Sequence, residues 1–225
     1  MERFGELALI ALGSNKNSVW GDPTATVTMA IQRLQMLSQT AVQQSCLYAT
    51  PAFPADAGPE FVNAAVALRT PMPPDDLMSA LHQIEADAGR ERVGRWGQRT
   101  LDLDLLALGL QILPDVPTYH VWRNLSLSKQ QQETPGRLIL TNPRIQDRAY
   151  VLVPIRQIAH LSSPCLNAVD PPFQMAHRSK NSAKSKCQKV SWGLSMPKQH
   201  SKEPSLILNC LLEYAHGPRH RRRLR

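Results

Sequence analysis

Between Leu101 and Leu108 the chain alternates leucine with aspartate and then turns fully apolar: Leu101-Asp102-Leu103-Asp104-Leu105-Leu106-Ala107-Leu108. Side chains along a strand point alternately to its two faces. This order therefore predicts a strand whose leucines enter a core while Asp102 and Asp104 share the other face. The two acids then stand roughly 7 Å apart at Cβ. That spacing can bracket a pair of Mg²⁺ ions, which lie about 3.5–4 Å apart in two-metal phosphoryl-transfer sites. Just upstream come Arg90, Arg92, Arg95 and Arg99, with Gly94, Trp96 and Gly97 among them. Guanidinium groups clamp phosphates bidentately, and Trp offers a flat surface for a base or a methylene stem. Taken singly, an Asp-x-Asp pair or a run of arginines is more often a solvated surface. Together they point to the handling of a nucleoside triphosphate.

The remaining elements follow from periodicity and punctuation. Leu7–Leu12 is a short apolar run ended by Gly13-Ser14-Asn15, which predicts a buried strand and a small-residue turn that could lie beside a site. Asp22-Pro23 opens a helix with Val27, Ala30, Ile31, Leu34 and Leu37 on one face. Val42 to Tyr48 reads as a second strand, stopped by Thr50-Pro51-Ala52-Phe53-Pro54. Residues 61–68 read as a third, with Phe61 and Asn63 on one face; an aromatic beside an amide suits a flat heterocycle. Pro73-Pro74-Asp75-Asp76 opens a second helix, lined by Leu77, Met78, Leu81, Ile84 and Ala88 and stopped at Gly89. Glu85 lies near its end. Residues 110–137 show no clear period and read as an irregular surface insertion. A short strand is expected over residues 138–142. Arg148 and Tyr150 then open a buried element.

Charge divides the chain. Residues 171–225 hold 12 Lys and Arg against 2 Asp and Glu, whereas residues 1–170 hold 14 against 16. The net charge of +8 thus belongs to the tail. The division expected is a catalytic domain over 1–160 and a basic, disordered tail over 161–225. Cys46, Cys165, Cys187 and Cys210 are far apart and form no metal spacing, as ordinary thiols of a reducing compartment would. No apolar run reaches the 18 or so residues of a membrane span, and the start is unlike a signal peptide. A cytoplasmic monomer with no membrane contact and no specific nucleic-acid contact is the expectation.

Residues 95–104, Arg95-Trp96-Gly97-Gln98-Arg99-Thr100-Leu101-Asp102-Leu103-Asp104, closely resemble the signature of the 6-hydroxymethyl-7,8-dihydropterin pyrophosphokinases of folate synthesis. Ala11–Asn15, Tyr48–Pro51, Phe61–Val66 and Arg148–Pro154 agree in order. The resemblance implies an α+β, ferredoxin-like fold: an antiparallel sheet with helices packed on it. It implies small-molecule substrates: diphosphate is transferred from ATP, as co-substrate, to the pterin, with two Mg²⁺ ions on Asp102 and Asp104. The catalytic set so implied is Arg90, Arg92, Arg99, Asp102 and Asp104. ATP would meet Glu85, Arg90, Arg92, Arg95, Trp96, Arg99, Asn142 and Arg148. The pterin would meet Thr50, Phe53, Phe61, Asn63 and Tyr150. One departure is Thr141-Asn142-Pro143, where relatives usually carry Pro-His-Pro. It motivates an alternative, a pterin- or nucleotide-binding homologue without turnover. The basic tail motivates another, non-specific nucleic-acid binding.

Overall fold

The apolar run near the start of the chain forms β1 (Glu6–Ser14), which takes an inner position in the sheet. The computed structural model describes residues 5–52, 58–90, 99–145, 148–162 and 188–189. In chain order there follow α1 (Pro23–Gln35), β2 (Gln43–Gln44), β3 (Tyr48–Thr50), β4 (Phe61–Thr70), α2 (Pro74–Asp87), β5 (Asp102–Leu108), α3 (Val116–Arg123), α4 (Leu127–Gln132), α5 (Ala149–Ser162) and β6 (Gln188–Lys189). The sheet order is β5-β1-β4-β3-β6, with β2 also on β4. All of these pairings are antiparallel except β3 with β6. This is an α+β fold with helices packed on an antiparallel sheet.

Strand alternation divides the core into two layers. Ala8, Ile10 and Leu12 of β1, Ala64, Val66 and Leu68 of β4, and Leu103 and Leu105 of β5 face α1 and α2. Leu9, Ala11, Ala65, Ala67, Leu106 and Ala107 face Val151, Ile155, Ile158 and Ala159 of α5. Each large aliphatic side chain so buried contributes about 1.5–3 kcal/mol. Helix ends fall where the sequence puts them. Asp22 caps α1 by accepting from the Ala25 N–H at 2.8 Å. Gly89 ends α2 at φ 75°, a conformation that glycine adopts without the steric cost of a side chain.

Three expectations change. The strand expected over residues 42–48 is broken into β2 and β3. Between them the Ser45 hydroxyl, not a backbone carbonyl, accepts the Ala65 N–H at 3.0 Å. The stretch 110–137, read as irregular, carries α3 and α4, capped by Asp115 and Ser126. Since α3 buries none of its residues, it leaves no apolar period to read. The strand expected over 138–142 is reduced to a single bridge between Leu113 and Leu140. Across the boundary expected after residue 160, α5 continues to Ser162, and Gln188–Lys189 lie along β3. The rest of the tail is outside the described residues. Among the described residues, no helix is long and apolar enough to cross a membrane.

Candidate active site

β5 is the edge strand of the sheet and starts at Asp102, so its first residues can be reached from the face and from the side. Leu101, Leu103 and Leu105 enter the core beneath, and alternation turns Asp102 and Asp104 to the α5 face. Across the ladder, Asp102 is paired with Gly13 of β1 and Asp104 with Ala11. Gly13 is also paired with Asn63 of β4, and Asn63 with Tyr48 of β3. A row Asp102–Gly13–Asn63–Tyr48 therefore crosses the sheet. A Cβ on Gly13 would stand 3.0 Å from Asn63 Oδ1 and 3.8 Å from Phe61 Cδ1. The missing side chain keeps bare backbone between the acids and the Phe61–Asn63 pair.

Asn63 is buried, and its amide is oriented. Its Nδ2 donates to Thr50 Oγ1 at 2.7 Å, which turns Oδ1 toward the space over Gly13. An acceptor thus faces the open floor, with the half-buried Phe61 ring beside it.

Three guanidinium groups meet the two acids. Arg90 reaches Asp102 Oδ1 at 2.9 Å and also pairs with Glu85. Arg99 pairs with Asp102 Oδ2. Arg148, just before α5, donates to Asp104 Oδ2 at 2.9 Å. Burial holds Asp104 above the ordinary carboxylate range, and Asp102 adds repulsion; Arg148 and Arg99 pull the other way. Burial opposes the charge of Arg148, but Asp104, Tyr150 and Asp102 outweigh it, so the guanidinium stays charged. A pair of acids held this close favours a cation between them.

Among the described residues there is no group of three or more His, Cys, Asp and Glu that could hold a metal. Mg²⁺ does not require one. It is usually held by one or two carboxylates together with substrate phosphates and water. Asp102 and Asp104, hard oxygen donors at the rim of an open floor, fit that donor set.

Of the residues singled out from the sequence, Glu85, Arg90, Arg99 and Asp102 form one charged network, and Arg148 with Asp104 forms a second pair on the same strand. Glu85 is the network's foundation: 2% exposed, it accepts the Leu103 N–H at 2.8 Å as well as Arg90. Thr50, Phe61 and Asn63 gather on the neighbouring strands. Tyr150 is 41% exposed near the start of α5. Asn142 uses its side-chain oxygen within its own turn, accepting the Arg144 N–H at 3.0 Å, and its backbone N–H bonds Leu106 O at 2.7 Å. Phe53, Arg92, Arg95 and Trp96 lie outside the described residues. Sequence reasoning had no role for Gly13 itself, and none for the two residues after it. Their signals were the small-residue turn, expected beside a site, and the family-like block Ala11–Asn15.

Paired acids under guanidinium groups, beside an aromatic-and-amide floor, define a protein able to hold a polyanion next to a flat polar ligand. The chain belongs to the 7,8-dihydro-6-hydroxymethylpterin-pyrophosphokinase family, whose sequence model matches residues 9–160. It is 38% identical over 152 residues to the 2-amino-4-hydroxy-6-hydroxymethyldihydropteridine pyrophosphokinase of Pseudomonas aeruginosa, covering 67% of this chain and 78% of that protein. The enzyme of the same name from Haemophilus influenzae is 33% identical over 153 residues, covering 68% of this chain and 81% of that one. The folate synthesis bifunctional protein of Arabidopsis thaliana is 32% identical over 152 residues, which is 67% of this chain and 26% of that protein.

Proposed function

We propose that the row from Asn63 to Asp102 is where the family's reaction takes place. The chain is an ATP-dependent diphosphotransferase of folate synthesis: it moves diphosphate from ATP to hydroxymethyldihydropterin. The row itself supports this reading best. Two strand spacings separate Asn63 from Asp102, roughly 10 Å. A bicyclic pterin whose amino end is held by Asn63 Oδ1 then lays its hydroxymethyl end near the two acids. Phe61 and Tyr150 offer ring faces to it, and the chain around Thr50 offers its edge; Phe53 is assigned to the pterin by family resemblance alone.

On the acid side, Asp102 and Asp104 would hold Mg²⁺. When bound, the metal supplies charge neutralisation and a polarised β-phosphorus. Everything else falls to the chain's own groups. The pterin hydroxyl attacks the β-phosphorus and gives up its proton to solvent water. The bond from that phosphorus to the oxygen bridging to the α-phosphorus breaks, and AMP leaves. Positioning and charge neutralisation are the main requirements of such a transfer. Arg90, Arg99 and Arg148 can trade a carboxylate for a phosphate as the acids take up the metal. Glu85 holds Arg90 in place for that exchange. Arg92, Arg95 and Trp96 join them on the nucleotide by family resemblance; Asn142, where relatives usually carry His, would offer the nucleotide only its side-chain amide donor, since its oxygen accepts the Arg144 N–H.

The test is product identity. Purified protein with Mg²⁺, ATP and 6-hydroxymethyl-7,8-dihydropterin should release one AMP per pterin diphosphate. Release of ADP, or tight binding of both substrates with no AMP, would contradict the reading.

A further inference from the structure

We infer that Asn15 couples the two substrate subsites, transmitting occupancy of the phosphate side to the pterin side through a single buried amide. This rests on the site reading just given. Asn15 follows the last residue of β1 and is 4% exposed. Its backbone N–H donates to Arg99 O at 3.1 Å, and its Oδ1 accepts the Arg99 N–H at 2.9 Å. Its Nδ2 donates to Pro59 O at 3.3 Å. One side chain thus joins segments 84 residues away on one side and 44 away on the other.

Both partners lead directly into the site. Arg99 carries the guanidinium paired with Asp102, three residues on. Pro59 stands two residues before Phe61 and four before Asn63. The Arg99 side is held firmly. Next to Asn15, Ser14 is fully buried and donates its hydroxyl to Thr100 O at 2.6 Å. The Thr100 hydroxyl is buried and has no hydrogen-bond partner among the described residues, so it adds no anchor of its own. When Arg99 exchanges Asp102 for a phosphate, its backbone turns, and Asn15, bound to it once through its backbone N–H and once through its Oδ1, turns with it. The amide's other end then moves against Pro59 O. Only a group with an acceptor and a donor fixed in one plane can carry both contacts in this way.

The role is one of positioning, and its signature is a change in linkage. The probe on the phosphate side is an ATP analogue with a methylene bridge between the α- and β-phosphorus, which cannot release AMP. Calorimetry of the wild-type protein should give pterin affinities with and without the analogue that differ by about 5- to 150-fold, the usual range of coupling between sites. Asn15→Asp keeps the acceptor for Arg99 but lacks the donor for Pro59. It should bind each ligand alone and bring the coupling factor close to one. Independently, the analogue without pterin should slow amide exchange at Glu60 and Phe61 in the wild-type protein. Folded Asn15→Asp with undiminished coupling would overturn the inference. So would wild-type exchange at Glu60 and Phe61 that ignores the analogue, a result that stands even if the variant fails to fold. Wild-type protein that binds both ligands independently would overturn the coupling while sparing the site assignment; failure to bind either would remove both.

Discussion

Tyr48, at the far end of the row that begins with Asp102, is 2% exposed, and its phenol is pushed up to about 12, by burial first and then by Cys46. Its hydroxyl donates to Gln157 Oε1 at 2.9 Å, the same oxygen that takes the Cys46 N–H at 2.6 Å. An unfolded tyrosine titrates near 10. The folded chain therefore keeps a proton that the unfolded chain loses between about 10 and 12. The stabilisation is whole below pH 10 and is lost as pH rises toward 12. Urea unfolding from pH 9 to 12 should show this decline, and Tyr48→Phe should decline less steeply. The variant should also start lower, by about 1 kcal/mol for the lost hydrogen bond. Parallel pH profiles would argue against it. At this scale the carboxylate pair was legible because neighbours two apart on a strand fix each other's direction. The duties of Glu85, Gly13 and Asn15 were not, because they depend on partners far along the chain. Glu85 illustrates this: its helix position was plain, but the Leu103 N–H and Arg90 that it serves were not.

Among the elements, β1 matters less for what its side chains do than for what its last residues leave open. Gly13→Ala would set a methyl 3.0 Å from Asn63 Oδ1, on the floor of the row. Asn63 must then shift away, and it is held to Thr50. The pterin KM should rise about tenfold, the cost of one extra methyl-sized group in a fitted pocket, while the KM for ATP changes little. Equal changes in both would mean that Gly13 is only a fold requirement. The excursion after β5 makes the opposite case. Leu113 and Leu140 close its base, and α3 inside it buries nothing. Replacing residues 115–137 by a short turn should leave the thermal midpoint and AMP formation nearly unchanged, since shortening a closed loop alters its entropy by only about 0.6 kcal/mol per halving. Loss of activity in that variant would assign the excursion a part in the site. α3 escaped a reading based on hydrophobic period because it buries none of its residues. The break between β2 and β3 escaped it because Ser45 supplies a side-chain substitute for a ladder bond.

For the molecule as a whole, sheet order was the part least accessible from sequence, and it is what makes the site. β1 runs between β5 and β4, so residues from positions 13, 63 and 102 come into one line. Local alternation fixed which face each would occupy; only the pairing fixed that they share it. The strongly charged end of the chain contributes Gln188–Lys189 to the β3 edge, which composition alone did not foresee. The central question for this protein is whether the acids on that shared face run the chemistry. AMP release from ATP and 6-hydroxymethyl-7,8-dihydropterin, followed against Mg²⁺ concentration in wild type, Asp102→Ala and Asp104→Ala, tests this most directly. The wild type should require Mg²⁺, and each variant should lose about 100-fold or more in kcat, on the scale of a lost transition-state contact. Wild-type rates in either variant would contradict it.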